Sequence, residues 1–303
     1  MKGRTMIALS ALLGAWGSSP AASQADVEDL KYVITEAANM EVTETEDGVV
    51  RLGWQRRDVP VEISGMRLKP AAGLGSWAAF KRSDRGAIVM SDTVVFEDEI
   101  APAMDAALAS GLKITALHNH FIFDDPPVYF MHIAGEGEPS RLAAGVRKIR
   151  QAIEAVREEH PKPRRQFPGK VPKQGEIDAD ALASVLGTKG DVENSIVKFS
   201  FAREGEMAGT AVGGSMGLST WAAFSGSQEL AAVDGDFIMT GNEVQVVLQT
   251  LRDHDIHVVA LHNHMIGENP KFYFLHYWGT GPAKALAEGV QAARDAQMRD
   301  SLQ

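Results

Sequence analysis

Residues 117–132 read LHNHFIFDDPPVYFMH, and residues 261–276 read LHNHMIGENPKFYFLH. The two stretches align without a gap at an offset of 144, and nine of their 16 positions are identical. Each stretch holds a His-x-His pair, a short polar segment and a third histidine 12 residues after the pair. Two copies of this pattern at a fixed offset predict that the chain contains one unit twice.

The similarity extends outward from these stretches at the same offset. Residues 73–80 read GLGSWAAF and residues 217–224 read GLSTWAAF. Between residues 73–137 and 217–281, 23 of 65 aligned positions are identical without a gap. A match of this length indicates duplication of a whole domain and not a solenoid of short repeats. The length of 303 residues also suits two domains.

A proline-rich segment separates the two copies. Residues 161–174 contain four prolines and five basic residues but no acidic residue, which is typical of an extended, solvated linker. We therefore predict a first repeat domain at residues 26–160 and a second at residues 175–303.

Periodicity predicts a mixture of helices and strands in each copy. Expected helices cover Asp26–Thr35, Glu97–Ser110, Pro139–Val156 and Asp178–Leu186. Expected strands cover Val49–Gln55, Lys113–His120, Val128–Ala134 and Ile196–Ala202. The predicted fold class is α/β or α+β, as a tandem duplication in which each domain has a histidine-bearing strand pair and flanking helices.

Six of the nine histidines occupy matched positions in the two copies. Side chains at i and i+2 of a strand share a face, and a hairpin would bring the third histidine to that face. Three imidazoles on one face can bind a cation such as zinc, copper, manganese or iron. The predicted metal ligands are His118, His120, His132, His262, His264 and His276. The competing interpretation is that duplication copied six structural histidines that form hydrogen bonds within the fold.

Asp124 and Glu268 occupy matched positions four residues after the second histidine of each pair. A carboxylate there is expected to act as a further ligand or as a general base. Metal-assisted hydrolysis is therefore the first reaction class to test if the protein is an enzyme. The alternative is a non-catalytic binding module for a glycan, a peptide or a small ligand of the cell envelope. Trp77 and Trp221 are expected to pack in the core.

Composition excludes several classes of protein. The chain has no cysteine, so any metal site must use nitrogen and oxygen ligands. The formal net charge is -10, and an acidic chain lacks the basic surface that nucleic-acid binding usually requires. No apolar stretch is long enough to span a bilayer.

The N-terminal residues resemble an export signal. Lys2 and Arg4 precede a short apolar run, and Ser23-Gln24-Ala25 fits the small-x-small cleavage rule. We predict a signal peptide at residues 1–25 and a soluble periplasmic or secreted protein.

The repeated Leu-His-Asn-His segments, each followed by Pro, Tyr-Phe-x-His and Gly-x-Gly, resemble the LppY/LpqO lipoprotein family. That resemblance covers nearly the whole mature chain, and it implies export and a role in the cell envelope without an established reaction. Because the chain lacks cysteine, the lipid anchor of the lipoprotein members is not expected here.

Overall fold

The computed structural model describes residues 24–164 and 166–300. The predicted signal peptide lies almost wholly outside these residues. The first copy contains three helices: α1 (Gln24–Ala38), α2 (Glu97–Ala109) and α3 (Pro139–Glu159). Its strands are β1 (Thr43–Glu44), β2 (Val50–Gln55), β3 (Glu62–Ile63), β4 (Met66–Arg67), β5 (Gly75–Ser83), β6 (Gly86–Phe96), β7 (Lys113–Asn119), β8 (Asp124–Asp125) and β9 (Val128–Gly137).

The second copy repeats this order of elements. Its helices are α4 (Ala179–Leu186), α5 (Val244–Asp253) and α6 (Ala283–Asp300). Its strands are β10 (Asp191–Glu193), β11 (Ile196–Ala202), β12 (Gly205–Met207), β13 (Thr210–Val212), β14 (Ser219–Gly226), β15 (Ala231–Thr240), β16 (His257–His262), β17 (Glu268–Asn269) and β18 (Phe272–Gly281). Short 3-10 turns precede β5 and β14, at Pro70–Ala72 and Gly214–Met216.

The two copies form one continuous antiparallel sheet of 12 strands. The strand order is β1-β2-β5-β6-β9-β7-β16-β18-β15-β14-β11-β10, so each copy supplies six neighbouring strands. The copies meet at β7 and β16, where Leu117 pairs with Leu261. Two small three-stranded sheets, β4-β3-β8 and β13-β12-β17, accompany the large one.

All six helices bury side chains in one hydrophobic core against the large sheet. α3 packs against α1 and α2, and α6 packs against α4 and α5. Leu117 and Leu261 belong to this core, so the neighbouring side chains along β7 and β16 point to the opposite face. We call this helix-free side the open face, although two smaller hydrophobic clusters cover part of it. The predicted duplication is confirmed, and the antiparallel sheet with helices on one face identifies the α+β alternative.

The predicted helices and strands are present with small differences at their ends. α2 stops before Gly111, which adopts a positive φ of 75°. α4 begins after Asp178, whose carboxylate accepts hydrogen bonds from two main-chain N–H groups of the first turn. Within the described residues, no helix is long and apolar enough to cross a membrane.

Matched ion pairs join the sheet to the helix that follows β6 or β15. Arg56 donates to both carboxylate oxygens of buried Glu99, at 2.6 and 2.7 Å. Arg203 donates to both carboxylate oxygens of Glu243, at 2.5 and 2.6 Å. Each Glu also accepts a main-chain N–H near the start of its helix, from Phe96 or Thr240. Such two-point pairs fix the orientation of helix and strand.

Gln245 of α5 holds the two copies together beside the central strands. Its amide donates to the main-chain oxygen of Ile114 at 2.7 Å and accepts the N–H of the same residue at 3.0 Å. Arg252 of α5 also donates to both carboxylate oxygens of Asp105 in α2.

We expect Gln245→Ala to lower the free energy of unfolding by about 1–3 kcal/mol, because both partly buried groups of Ile114 lose their partner. Urea unfolding measures the change. Gln249→Ala on the same helix is the matched control, since Gln249 contacts only exposed Asp253 among the described hydrogen bonds. Equal stability losses in the two variants would contradict the bridging role.

Candidate metal centre

Two hairpins, β7 with β9 and β16 with β18, bring the matched histidines of each copy to the open face. β7 and β9 pair as an antiparallel hairpin, with His118 opposite Phe130 and Ala116 opposite His132. β16 and β18 repeat this register at an offset of 144. The predicted hairpin is thus present in both copies, and it brings the third histidine to the face of the first pair.

In the second copy, three histidines converge with an aspartate. Asp236, His262, His264 and His276 each offer one ligand atom, and these four atoms all lie within 4.8 Å of one another. His264 Nε2 lies 3.4 Å from Asp236 Oδ2, and His276 Nδ1 lies 3.9 Å from Asp236 Oδ1. Of the residues that the structure describes, these four are the group with metal-compatible spacing.

Asp236 enters the cluster from the neighbouring strand. β15 pairs with β18, and Asp236 lies directly opposite His276. Directly opposed residues of an antiparallel pair project from the same face, so the carboxylate and the imidazole are side by side. The carboxylate is almost fully buried, with 3% of the side chain exposed, whereas His264 and His276 are partly open to solvent.

Two polar atoms of these residues lack a hydrogen-bond partner. Asp236 Oδ1 and His262 Nε2 are buried and have no hydrogen-bond partner among the described residues. A buried polar atom without a partner costs free energy, and a bound cation would offset that cost. Burial raises the pKa of Asp236 above the ordinary aspartate value, and the neighbouring histidines act in the opposite direction.

The histidine rings are positioned by their surroundings. His262 Nδ1 lies 3.4 Å from the main-chain oxygen of Asn263, which leaves the buried Nε2 as the ring nitrogen without a partner. The His264 ring stacks on Phe274 with 3.4 Å between ring centroids. Burial lowers the pKa of His264, and the coulombic effects of His262 and His276 lower it further. The neutral imidazole, which is the form that binds metals, is therefore favoured.

The first copy has a looser version of the cluster. His118 Nε2 lies 3.0 Å from His132 Nε2, and His132 Nε2 lies 3.9 Å from Asp92 Oδ1. His118 Nδ1 lies 2.7 Å from the oxygen of Asn119. Asp92 Oδ1 is buried and has no hydrogen-bond partner, and burial raises the pKa of Asp92.

His120 explains the difference between the copies. Its ring stacks on Phe121 and contacts the edge of Phe130, with centroid separations of 4.9 and 4.3 Å. The residue equivalent to Phe121 in the second copy is Met265, which offers no ring for stacking. His120 thus has a second aromatic neighbour that His264 lacks, and only His264 belongs to a group with metal-compatible spacing among the described residues.

Asp124 and Glu268 do not join either histidine group. Asp124 Oδ2 accepts the main-chain N–H of Val128 at 2.7 Å, and Glu268 Oε1 accepts that of Phe272 at 3.1 Å. Each carboxylate therefore closes the loop between the two strands of its hairpin. The carboxylates that the structure brings to the histidines are Asp92 and Asp236, which sequence reasoning missed.

A signal for Asp92 and Asp236 is present in the sequence. They are identical residues at the offset of 144, within the ungapped match. A single carboxylate on a strand has no motif of its own, and only the pairing between β6 and β9 or β15 and β18 connects it to the histidines.

Trp77 and Trp221 lie outside the helix-side core, contrary to expectation. Each is half-buried and pairs across its strand with the cluster aspartate, Asp92 or Asp236. Cross-strand pairing places each indole on the open face, because the partner aspartate projects there. The Arg51 guanidinium lies 4.7 Å from the centre of the Trp77 ring, and Lys198 Nζ lies 4.6 Å from that of Trp221.

A cavity of about 580 Å³ gives access to the centre of the open face. His118 from the first cluster and His262 from the second both line it, together with Lys271. Each cluster thus contributes one histidine to the lining of the same cavity.

A family model matches the chain twice, over residues 33–152 and residues 180–296. Its description is Domain of Unknown Function (DUF1259). The chain belongs to this family. The two matched regions are the two copies described above, so the family unit is the duplicated unit.

Comparison with other proteins adds no functional assignment. No curated protein matches the chain. EtuB from Clostridium kluyveri is similar at 11% identity over 75% of this chain and 89% of its own, with a TM-score of 0.23. The trimeric bacterial microcompartment shell protein PduB is similar at 9% identity over 85% of this chain and 91% of its own, with a TM-score of 0.20.

Glu268 provides a test of the loop-closing role. We expect Glu268→Ala to lower the free energy of unfolding by about 1–2 kcal/mol, because the buried N–H of Phe272 loses its acceptor. Glu268→Gln keeps an acceptor oxygen and should recover part of that loss. Neither variant should change metal uptake. A loss of metal uptake in both variants would instead support the sequence prediction that Glu268 is a ligand.

Proposed function

We propose that the protein binds a divalent transition-metal ion through Asp236, His262, His264 and His276. Two observations support this proposal: each of the four residues offers a ligand atom within 4.8 Å of the others, and Asp236 Oδ1 and His262 Nε2 are buried without a hydrogen-bond partner. Structural histidines with buried ring nitrogens would be expected to bond them to protein groups; even the exposed His254 lies with Nδ1 2.8 Å from the oxygen of Thr250.

The donor set suits the proposed ion. Imidazole nitrogen and carboxylate oxygen are common ligands of zinc, copper, manganese and iron, and no thiolate is available. Ligand atoms around a tetrahedral zinc lie about 3.3 Å apart, given bonds of about 2.0–2.1 Å. Zinc binding would therefore require the present separations, which reach 4.8 Å, to shorten, and the side chain of His276 is 42% exposed.

The first cluster is proposed as a weaker site. His118, His132 and Asp92 can contribute ligands, and His120 would have to leave the Phe121 ring to join them. Occupancy of the second cluster is therefore expected before that of the first.

We further propose that the bound ion would have a catalytic role. A divalent ion at a solvent-accessible site of this kind supplies Lewis-acid catalysis of hydrolysis. The partly exposed histidines and the shared cavity give a substrate access to the site. The second candidate function is a non-catalytic binding module, favoured by Trp77 and Trp221 on the open face beside cationic side chains.

We also propose that the protein acts in the periplasm or outside the cell. The basic and apolar N-terminal pattern and the resemblance to the LppY/LpqO family support this location. A ligand from the cell envelope would then be available to either candidate function.

Metal uptake by full-length protein without an affinity tag tests the proposal. After treatment with a chelator and its removal, titration with zinc should load one strong site per chain. Asp236→Asn and His264→Gln should weaken it by more than the roughly 10–100-fold that loss of an outer partner costs. His254→Gln is the matched histidine control, since His254 lies outside the cluster on the helix side.

Elemental analysis measures the number of metal ions bound per chain, and calorimetry measures the affinity for zinc. Failure of the unaltered protein to take up zinc, copper, manganese or iron would overturn the proposal. Uptake that is equal in the unaltered protein and both cluster variants would show that the ions bind elsewhere.

A further inference from the structure

Two equivalent cavities lie beside the central strands of the large sheet, one against β16 and the other against β7. One, of about 510 Å³, is lined by residues that include Ala101, Tyr129, Val258 and Trp278. The other, of about 470 Å³, is lined by residues that include Ile114, Gln245 and Tyr273. Ala101 and Gln245 are equivalent at the offset of 144, as are Tyr129 and Tyr273. The two cavities therefore differ at a matched position.

In the smaller cavity, the strand edge is already occupied. The Gln245 carboxamide donates to the oxygen of Ile114 and accepts its N–H. These two bonds show that the main-chain groups of Ile114 point away from β9 and toward the cavity. A primary amide completes the edge of β7 there, as a further strand would.

In the larger cavity, no side-chain amide of the described residues is hydrogen-bonded to the same edge, although Gln166 is among the residues that line the cavity. Val258 is equivalent to Ile114 and lies opposite Tyr277 in the register in which Ile114 lies opposite Ile133. The same irregularity follows each residue, so the N–H and C=O of Val258 point away from β18 toward the cavity. Ala101 has no polar side-chain atom, and no described side chain forms a hydrogen bond with Val258.

The walls of the larger cavity suit an aromatic group. Phe167, Val259 and Trp278 line it and are 48%, 45% and 40% exposed. Phe167 comes from the segment between the two copies, which is anchored where the Arg164 N–H donates to Asp98. The smaller cavity has no such segment along it.

We propose that this larger cavity binds a small ligand that carries a primary carboxamide next to an aromatic ring. The carboxamide would form with Val258 the two hydrogen bonds that Gln245 forms with Ile114. The ring would pack against Phe167 and Trp278. An amide complements the paired donor and acceptor of the strand edge, whereas a carboxylate has no hydrogen to donate to the C=O.

The test uses the full chain with excess chelator, so that the result is independent of the proposed metal. The probe is 3-phenylpropanamide, and 3-phenylpropanoate is the matched acid. We expect saturable binding of the amide in calorimetry and at least tenfold weaker binding of the acid. No binding of the amide, or equal binding of the two compounds, would overturn the proposal.

Two variants examine the position of the ligand. Ala101→Gln supplies the missing carboxamide and should abolish amide binding while raising Tm by about 2–4 °C. Phe167→Ala removes one wall of the cavity without adding an amide and should weaken binding at least threefold. If both variants bind the amide as tightly as the unaltered protein, the ligand lies elsewhere and the proposal is wrong.

Discussion

The pairing of Asp236 with His276 across β15 and β18 is the contact on which the proposed site depends. It places a carboxylate that is almost fully buried beside an imidazole on the open face of the sheet. The position can exist because the helices cover only the other face, where Leu117 and Leu261 belong to the core. A second helical layer would have closed the open face, and the histidines would then have needed partners within the protein.

The two halves have equivalent backbones but differ at single matched positions. His120 stacks on Phe121, whereas His264, with Met265 at the equivalent place, belongs to the cluster with metal-compatible spacing. Ala101 leaves open a strand edge that Gln245 closes in the other half. Because the backbone register is the same in both halves, these differences arise from side chains. The proposed metal site and the proposed ligand cavity each use one of these differences.

Much of the fold could be predicted because local patterns determine it. The strand periodicity of His118 and His120 and the stop at Gly111 depend on neighbouring residues, and the repeat is recognised by direct comparison of the two stretches. The site was predicted in part: the hairpins gather the histidines, but the carboxylates beside them are Asp92 and Asp236. Which carboxylate lies beside the histidines depends on which strand pairs with β9 or β18. Strand order cannot be inferred from the local pattern of a single sequence.

The sequence also does not predict that a hydrogen bond is kept in both halves by different residues. In the first half, the Ser91 hydroxyl donates to the Trp77 oxygen. In the second half, the Tyr277 hydroxyl donates to the equivalent Trp221 oxygen at 2.9 Å, across Gly235. A Cβ at Gly235 would lie 2.2 Å from the Tyr277 ring, so a larger residue there would displace the tyrosine. Neither residue alone indicates that such an exchange keeps the bond.

Anomalous diffraction from crystals of the full chain grown with zinc would test the central claim most directly. We expect an anomalous peak at the zinc absorption edge, about 2.0–2.2 Å from ligand atoms of Asp236, His262, His264 and His276. A map without a peak at this cluster, or with zinc bound only at other residues, would contradict it.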